Sequence, residues 1–246
     1  MSLPVHWVES LDGVRTGDRV VVGGDEAHHA VAVRRMRVGE AVVLTDGRGT
    51  AVTGAVAETG KRRLVVAVDE VEEVPEPTPR VTVVQALPKG DRGELAVEVL
   101  TEIGATTIVP WAADRSVAVW RGERADKGLV RWRSTAREAA KQARRAWFPE
   151  VLGLASTSEV AALVEGATVA VVLHEAGDQA VGEVAVPDDG TVLVVVGPEG
   201  GLSDAELETL RGAGASVVRL GAEVLRTSTA GVAAVAALLA RTRRWR

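Results

Sequence analysis

The 246-residue chain contains no cysteine. That excludes disulfide frameworks, thiolate zinc sites, iron–sulfur clusters and a catalytic thiol together, and it fits a reducing cytosol. Long hydrophobic runs are also missing. The longest apolar stretches, such as Ala230–Ala240, are about half of the roughly 20 residues a membrane-spanning helix needs. At the amino end, MSLPVHWVES has neither the basic start nor the apolar run of a secretory signal. A soluble, cytoplasmic protein with no membrane partner is therefore expected. No G-x-G-x-x-G follows a strand, no Gly-Lys-Ser/Thr marks a P-loop, and no G-x-S-x-G marks a serine hydrolase. His28 and His29 are adjacent with no other ligand set near them, so no metal site is expected. What is present is 46% hydrophobic and 26% charged, which excludes intrinsic disorder. The length suits one large domain or two modest ones.

A net charge of −5 alone argues against a polyanionic partner, but the charge is unevenly spread. Arg121–Pro149 holds nine basic and three acidic residues, a net +6, whereas Glu150–Val218 sums to −11. A concentrated basic segment in an acidic chain is either an electrostatic footprint for nucleic acid or a solvated helix face.

The first 70 or so residues read as short strands, Arg19–Val22, Ala41–Thr45, Thr50–Val56 and Leu64–Val68, broken by Gly-bearing turns. Only Asp25–Arg35 reads as helix there, which is the pattern of a small β-barrel or sandwich. The stretch Val71–Pro79, with three prolines in its last five residues, reads as a stiff linker. Beyond it strands alternate with helices: strands Val81–Leu87, Thr106–Pro110, Thr168–Leu173, Thr191–Val196 and Ser216–Leu220, and helices Asp91–Ile103, Ala125–Ala146, Ser158–Val164, Asp204–Arg211 and Ser228–Arg241. That alternation predicts a mostly parallel sheet covered on both faces. The domains expected are 1–74, a linker 75–79, and 80–246.

Three strand ends concentrate the chemistry. A buried strand runs into Gly197-Pro198-Glu199-Gly200-Gly201, and Ser203-Asp204-Ala205-Glu206 has capping-box spacing for the next helix. Ligands of open parallel sheets bind beyond the carboxyl ends of strands, and glycines there admit close backbone approach. Glu199 repels phosphate, so a neutral or cationic ligand is expected, unless the segment is an ordinary tight turn. Arg219–Ala230 is a second strand end, with Arg226 its cation and Thr227, Ser228 and Thr229 as capping hydroxyls. Leu173-His174-Glu175 is the third.

GPEGGLS-x-x-E, followed about 20 residues later by LG-x-x-VLRT-x-TA, resembles the SPOUT class of methyltransferases. More closely the chain resembles the RsmE family, the 16S ribosomal RNA (uracil-N3)-methyltransferases. His28-His29, Val33-Arg34-Arg35, Asp46–Gly49, Lys89, Thr101–Gly104, Arg115-Ser116 and the EA-x-x-Q-x-x-R helix at Glu138, Ala139, Gln142 and Arg145 follow that family's order. The resemblance implies an α/β fold, with a PUA-like N-terminal β-barrel tied to RNA recognition and a C-terminal SPOUT domain containing a trefoil knot. It implies a homodimer, with S-adenosylmethionine against Leu173, Gly197, Gly200, Leu220 and Leu225. His174, Gly201 and Thr227 of the same loops are counted with them.

The EA-x-x-Q-x-x-R helix puts Glu138, Gln142 and Arg145 on one face, an apolar stripe on another, and Arg137, Lys141 and Arg144 on a basic flank. Such a helix suits phosphate contact. Arg34, Arg35 and Arg37 form a smaller cluster in the amino-terminal domain, and Arg115 joins the expected RNA-binding set. One position departs from the family. Where many members read LRTETA, this chain has Leu225-Arg226-Thr227-Ser228-Thr229-Ala230, so any proton-accepting carboxylate at 228 is lost. Arg226 is expected to stabilise the developing uracil anion, with Glu199 the candidate base. The expected partner is 16S rRNA, free or in the small ribosomal subunit. The alternatives are methylation of another position, such as a tRNA ribose 2′-hydroxyl, and a non-catalytic RNA-binding assembly factor.

Overall fold

The structure, a computed structural model, describes residues 3–246; the first two residues of the amino-terminal stretch lie outside them. It divides into two units: the chain through Glu76 together with Ala140–Phe148, and Pro77–Ala139 together with Pro149–Arg246. The break at Glu76 falls in the proline-rich stretch. The return of Ala140–Phe148 to the first unit is a departure from the contiguous domains expected from sequence.

In the first unit β1 (Val5–Trp7), β2 (Arg19–Gly23), β3 (Ala41–Thr45), β4 (Thr50–Gly60) and β5 (Arg63–Glu73) form one mixed sheet in the order β1-β3-β4-β5-β2. It is a half-barrel with β1 and β2 at its edges. Alternation along the strands buries Val42, Leu44, Val52, Val56, Leu64, Val66 and Val68 in one core with Leu11 and Met36. The long β4–β5 hairpin bends at register shifts beside Gly54, where a Cβ would lie 2.1 Å from the Ala67 carbonyl oxygen. The single helix expected over Asp25–Arg35 is instead α1 (Gly24–His28) followed by a π-helical turn, His29–Val33, in which the Arg34 amide donates to the His29 carbonyl at 2.9 Å. Arg35 ends it at φ 57°. In the Asp46–Gly49 turn, Asp46 Oδ1 accepts from the Arg48 and Thr50 amides at 2.7 and 3.2 Å. Trp147 and Phe148 occupy the space above Gly49 and Gly47.

The second unit contains β6 (Arg80–Ala86), α2 (Arg92–Ile103), β7 (Thr107–Trp111), most of α3 (Glu123–Gln142), β8 (Glu150–Val151), α4 (Thr157–Glu165), β9 (Val169–Leu173), β10 (Gln179–Ala180), β11 (Thr191–Val196), α5 (Asp204–Gly212), β12 (Ser216–Arg219) and α6 (Thr227–Leu239). Its seven strands pair in parallel throughout, in the order β10-β12-β9-β11-β6-β7-β8. Val192, Val194 and Val196 of β11 face the core shared with α2, α3 and α6, while Leu193 and Val195 face that of α4 and α5. A sheet buried on both sides needs such continuous apolar strands. Among the described residues no helix is long and apolar enough to cross a membrane.

Candidate active site

Parallel pairing brings all the carboxyl ends of the strands to one edge. There, wholly within the second unit, a cavity of about 630 Å³ opens, within the usual range for ligand pockets. The ends of β9, β11 and β12 supply Leu173, His174, Gly197, Glu199, Gly200, Gly201, Leu220, Leu225, Arg226 and Thr227 to its wall. Every residue assigned from sequence to cofactor binding or catalysis thus lines one cavity. Arg115, assigned from sequence to RNA, lines it too.

The local chemistry explains the shape of the glycine-rich loop. Ser203 Oγ accepts from the Glu206 amide at 3.2 Å, and Glu206 Oε2 accepts from the Ser203 amide at 2.8 Å, the capping box expected from sequence. Glu206 Oε1 also accepts from the Asp114 amide at 2.8 Å, so the start of α5 anchors the loop carrying Arg115. A Cβ on Gly200 would lie 3.0 Å from Arg115 Cβ and 3.1 Å from its carbonyl oxygen. Gly200 therefore makes room for protein, where the sequence reading gave that space to ligand.

The wall carries both signs of charge. Glu175, Glu199 and Glu223 stand with Arg92, Arg115, Arg219 and Arg226. Glu199 Oε1 accepts from the Lys89 amide at 3.2 Å, which fixes the carboxylate while leaving its second oxygen available. His174 Nδ1 accepts from the Ala176 amide at 3.1 Å, which assigns the ring proton of a neutral imidazole to Nε2. Buried Gln85 donates from Nε2 to the Thr227 carbonyl at 3.3 Å, pinning the start of α6 beneath the cavity wall. Ser228 is 3% exposed and lies outside the wall, so the position where the family carries a carboxylate is an interior one in this chain. Arg92, the first residue of α2, was missed from sequence. Its only signal is its place just beyond the end of β6.

The expected RNA contacts are dispersed. Arg34, Arg35, Arg37, Gln142 and Arg144 are exposed and Arg145 half-buried in the first unit, and Arg137 is exposed in the second. Lys141 departs from the role expected of it. It is 8% exposed, and its ammonium sits 2.5 Å from Glu26 Oε1, while His6 Nδ1 lies 3.2 Å from Glu26 Oε2. Burial alone would raise the Glu26 carboxyl, but the hydrogen bonds and charges of His6 and Lys141 outweigh it and bring the pKa to about 2. Helix spacing put Lys141 on a basic flank; it carried no sign of a carboxylate 115 positions away.

A cavity with free carboxylate oxygen, glycine backbone and no phosphate-binding lysine fits S-adenosylmethionine, a compact ligand with a positively charged sulfur. The RNA methyltransferase domain pattern matches residues 74–239, and the RNA methyltransferase PUA domain pattern matches residues 22–69. The ribosomal RNA small subunit methyltransferase E of Mycobacterium bovis is 47% identical, over 98% of this chain and 93% of its own. The solved structure of the enzyme of that name from Neisseria gonorrhoeae, bound to S-adenosyl methionine, matches with a TM-score of 0.86 at 26% identity, covering 97% of this chain and 98% of its own. A Legionella pneumophila methyltransferase in complex with SAM matches with a TM-score of 0.90 at 25% identity, covering 98% and 99%. With both patterns in the expected order and near-complete coverage by its relatives, the chain belongs to the ribosomal RNA small subunit methyltransferase E (RsmE) family.

Proposed function

We propose that this protein methylates N3 of a uridine in 16S ribosomal RNA with S-adenosylmethionine as donor. The observation that carries the reading is the meeting, in one cavity, of the three strand-end loops with Glu199 and Arg226. Bound there, S-adenosylmethionine supplies an electrophilic methyl group on a sulfonium centre. Leu173, His174, Gly197, Gly200, Gly201, Leu220, Leu225 and Thr227 hold it, largely through main-chain groups.

Uracil N3–H is weakly acidic, and the ring becomes a nucleophile as that proton leaves. Glu199 accepts the proton on the oxygen that Lys89 does not occupy. The Arg226 guanidinium stabilises the negative charge that spreads onto the uracil carbonyl oxygens. The N3–H bond breaks and an N3–C bond forms. Arg34, Arg35, Arg37, Arg137, Gln142, Arg144 and Arg145 hold RNA phosphates, whose attraction is indifferent to sequence. Lys141 contributes from inside, by neutralising Glu26. The reading includes a trefoil knot around the cofactor loops, a homodimer, and a cytoplasmic site of action on rRNA, free or within the small ribosomal subunit.

The test is incubation of the chain with methyl-labelled S-adenosylmethionine and 16S rRNA, naked and in assembled subunits, followed by mass spectrometry of nucleosides. Label is expected in 3-methyluridine. Label in a 2′-O-methylated nucleoside, or RNA binding without transfer, would overturn the reading. In the same assay Arg226→Lys keeps the charge but loses the planar fork. It is expected to bind both ligands and to lose about 10²-fold in single-turnover rate.

A further inference from the structure

We infer that Arg92 grips a backbone phosphate of the reacting nucleotide, an inference that rests on the reading of the cavity as a uridine methylation site. Four guanidinium groups line the cavity. Two are already engaged: Arg115 donates to the Gly200 carbonyl at 3.4 Å, and Arg219 to the Gly177 carbonyl at 3.2 Å. Arg226 is committed to the uracil ring. Arg92 remains, exposed and, among the described residues, without a hydrogen bond or ion pair.

Its carboxylate neighbours are spoken for or turned to other work. Glu94 pairs with Arg131 at 3.0 Å, and Glu199 receives the Lys89 amide. Arg92 also opens a helix, where unpaired amides already carry partial positive charge, so a cation there is disfavoured by about 0.3–1 kcal/mol. Nothing in the fold offsets that cost. An anion arriving in the cavity does.

The residue is also held in place. The Leu87 amide donates to the Trp111 carbonyl at 3.1 Å and the Lys89 amide to Glu199 at 3.2 Å, so the β6–α2 loop is tied both to the sheet and to the glycine-rich loop. The candidate base and Arg92 therefore share one frame. A guanidinium matches the two free oxygens of a phosphodiester in bidentate fashion. The cofactor carboxylate is the competing anion. Arg92 stands outside the three strand-end loops assigned to the cofactor and is exposed, which favours the larger ligand that arrives from solvent.

The experiment uses the full chain and an RNA in which the methylated uridine has been located. Arg92→Gln is expected to raise the half-saturating RNA concentration about tenfold and to lessen the salt slope by about 1, with a smaller fall in kcat. Arg92→Lys recovers part of the loss. An RNA carrying a neutral methylphosphonate beside the target uridine should cost the wild type a similar factor and cost Arg92→Gln little, the non-additivity that a shared contact produces. Calorimetry should show S-adenosylmethionine affinity retained in the variant. Loss of cofactor affinity instead would assign Arg92 to the cofactor carboxylate and overturn the inference. Equal losses from the methylphosphonate in both proteins would also overturn it, while leaving the methylation reading intact. A wild-type chain that labels no RNA removes both.

Discussion

A carboxylate held in a small core is stable only if its charge is met, because desolvation costs several kcal/mol per ion. Glu26 is met twice, by Lys141 and His6. With its pKa near 2 in the fold against 4.5 for the free group, its contribution to stability is fully present above about pH 4.5. The contribution is lost as pH falls from there toward 2, and amounts to the order of 2–3 kcal/mol. Denaturant unfolding of wild type and Glu26→Gln across that range should show a gap that is widest at neutral pH and closes on acidification. A gap independent of pH would mean that Glu26 acts through shape alone. At this scale the cavity residues were legible in the sequence because they sit in short loops directly after buried strands. The Lys141–Glu26 pair and Arg92 were not, since both depend on which distant segments fold together.

At the scale of elements, long apolar strands were legible, and Thr191–Val196 has the predicted limits. β1, β8 and β10, of three, two and two residues, were not, because partner strands and not their own patterning define them. The end of α3 is the informative failure. Sequence continued the helix to Ala146, yet it stops at Gln142. Arg144 takes φ 53°, its amide donating to the Lys141 carbonyl at 3.1 Å and the Arg145 amide to that of Ala140 at 2.9 Å. This is a Schellman termination, which ordinarily places glycine at that position. With arginine there, no stop signal was visible. Arg144→Gly is expected to stabilise the protein by about 1 kcal/mol, a rise of roughly 2–4 °C in Tm. It should also weaken RNA binding and lessen the salt slope by about 1. An unchanged or lowered Tm would show that the backbone there is not strained.

For the whole molecule, the parallel sheet and its ligand edge followed from the alternation of elements, but the order β10-β12-β9-β11-β6-β7-β8 did not. Strand order depends on which long crossovers the chain takes, and local pattern carries no record of them. Beside the cavity Val224 is 78% exposed and Leu225 41%. Apolar residues so placed are what a second copy would cover. Sedimentation equilibrium at micromolar concentration should give twice the 25.7 kDa chain mass, and Val224→Asp should shift it toward one. A monomeric wild type would remove the homodimer from the reading. The interleaving of the two units has a consequence in time. The ribosome must add about 70 residues after Glu76 before Phe148 is made, on the order of 4–14 s at 5–20 residues per second. Throughout that interval the emerged strands of the first unit lack the Lys141 ammonium for Glu26 and the rings that fill the turn at Gly47 and Gly49. The amino-terminal unit is thus synthesised first but cannot finish folding until more than half of the chain has been translated.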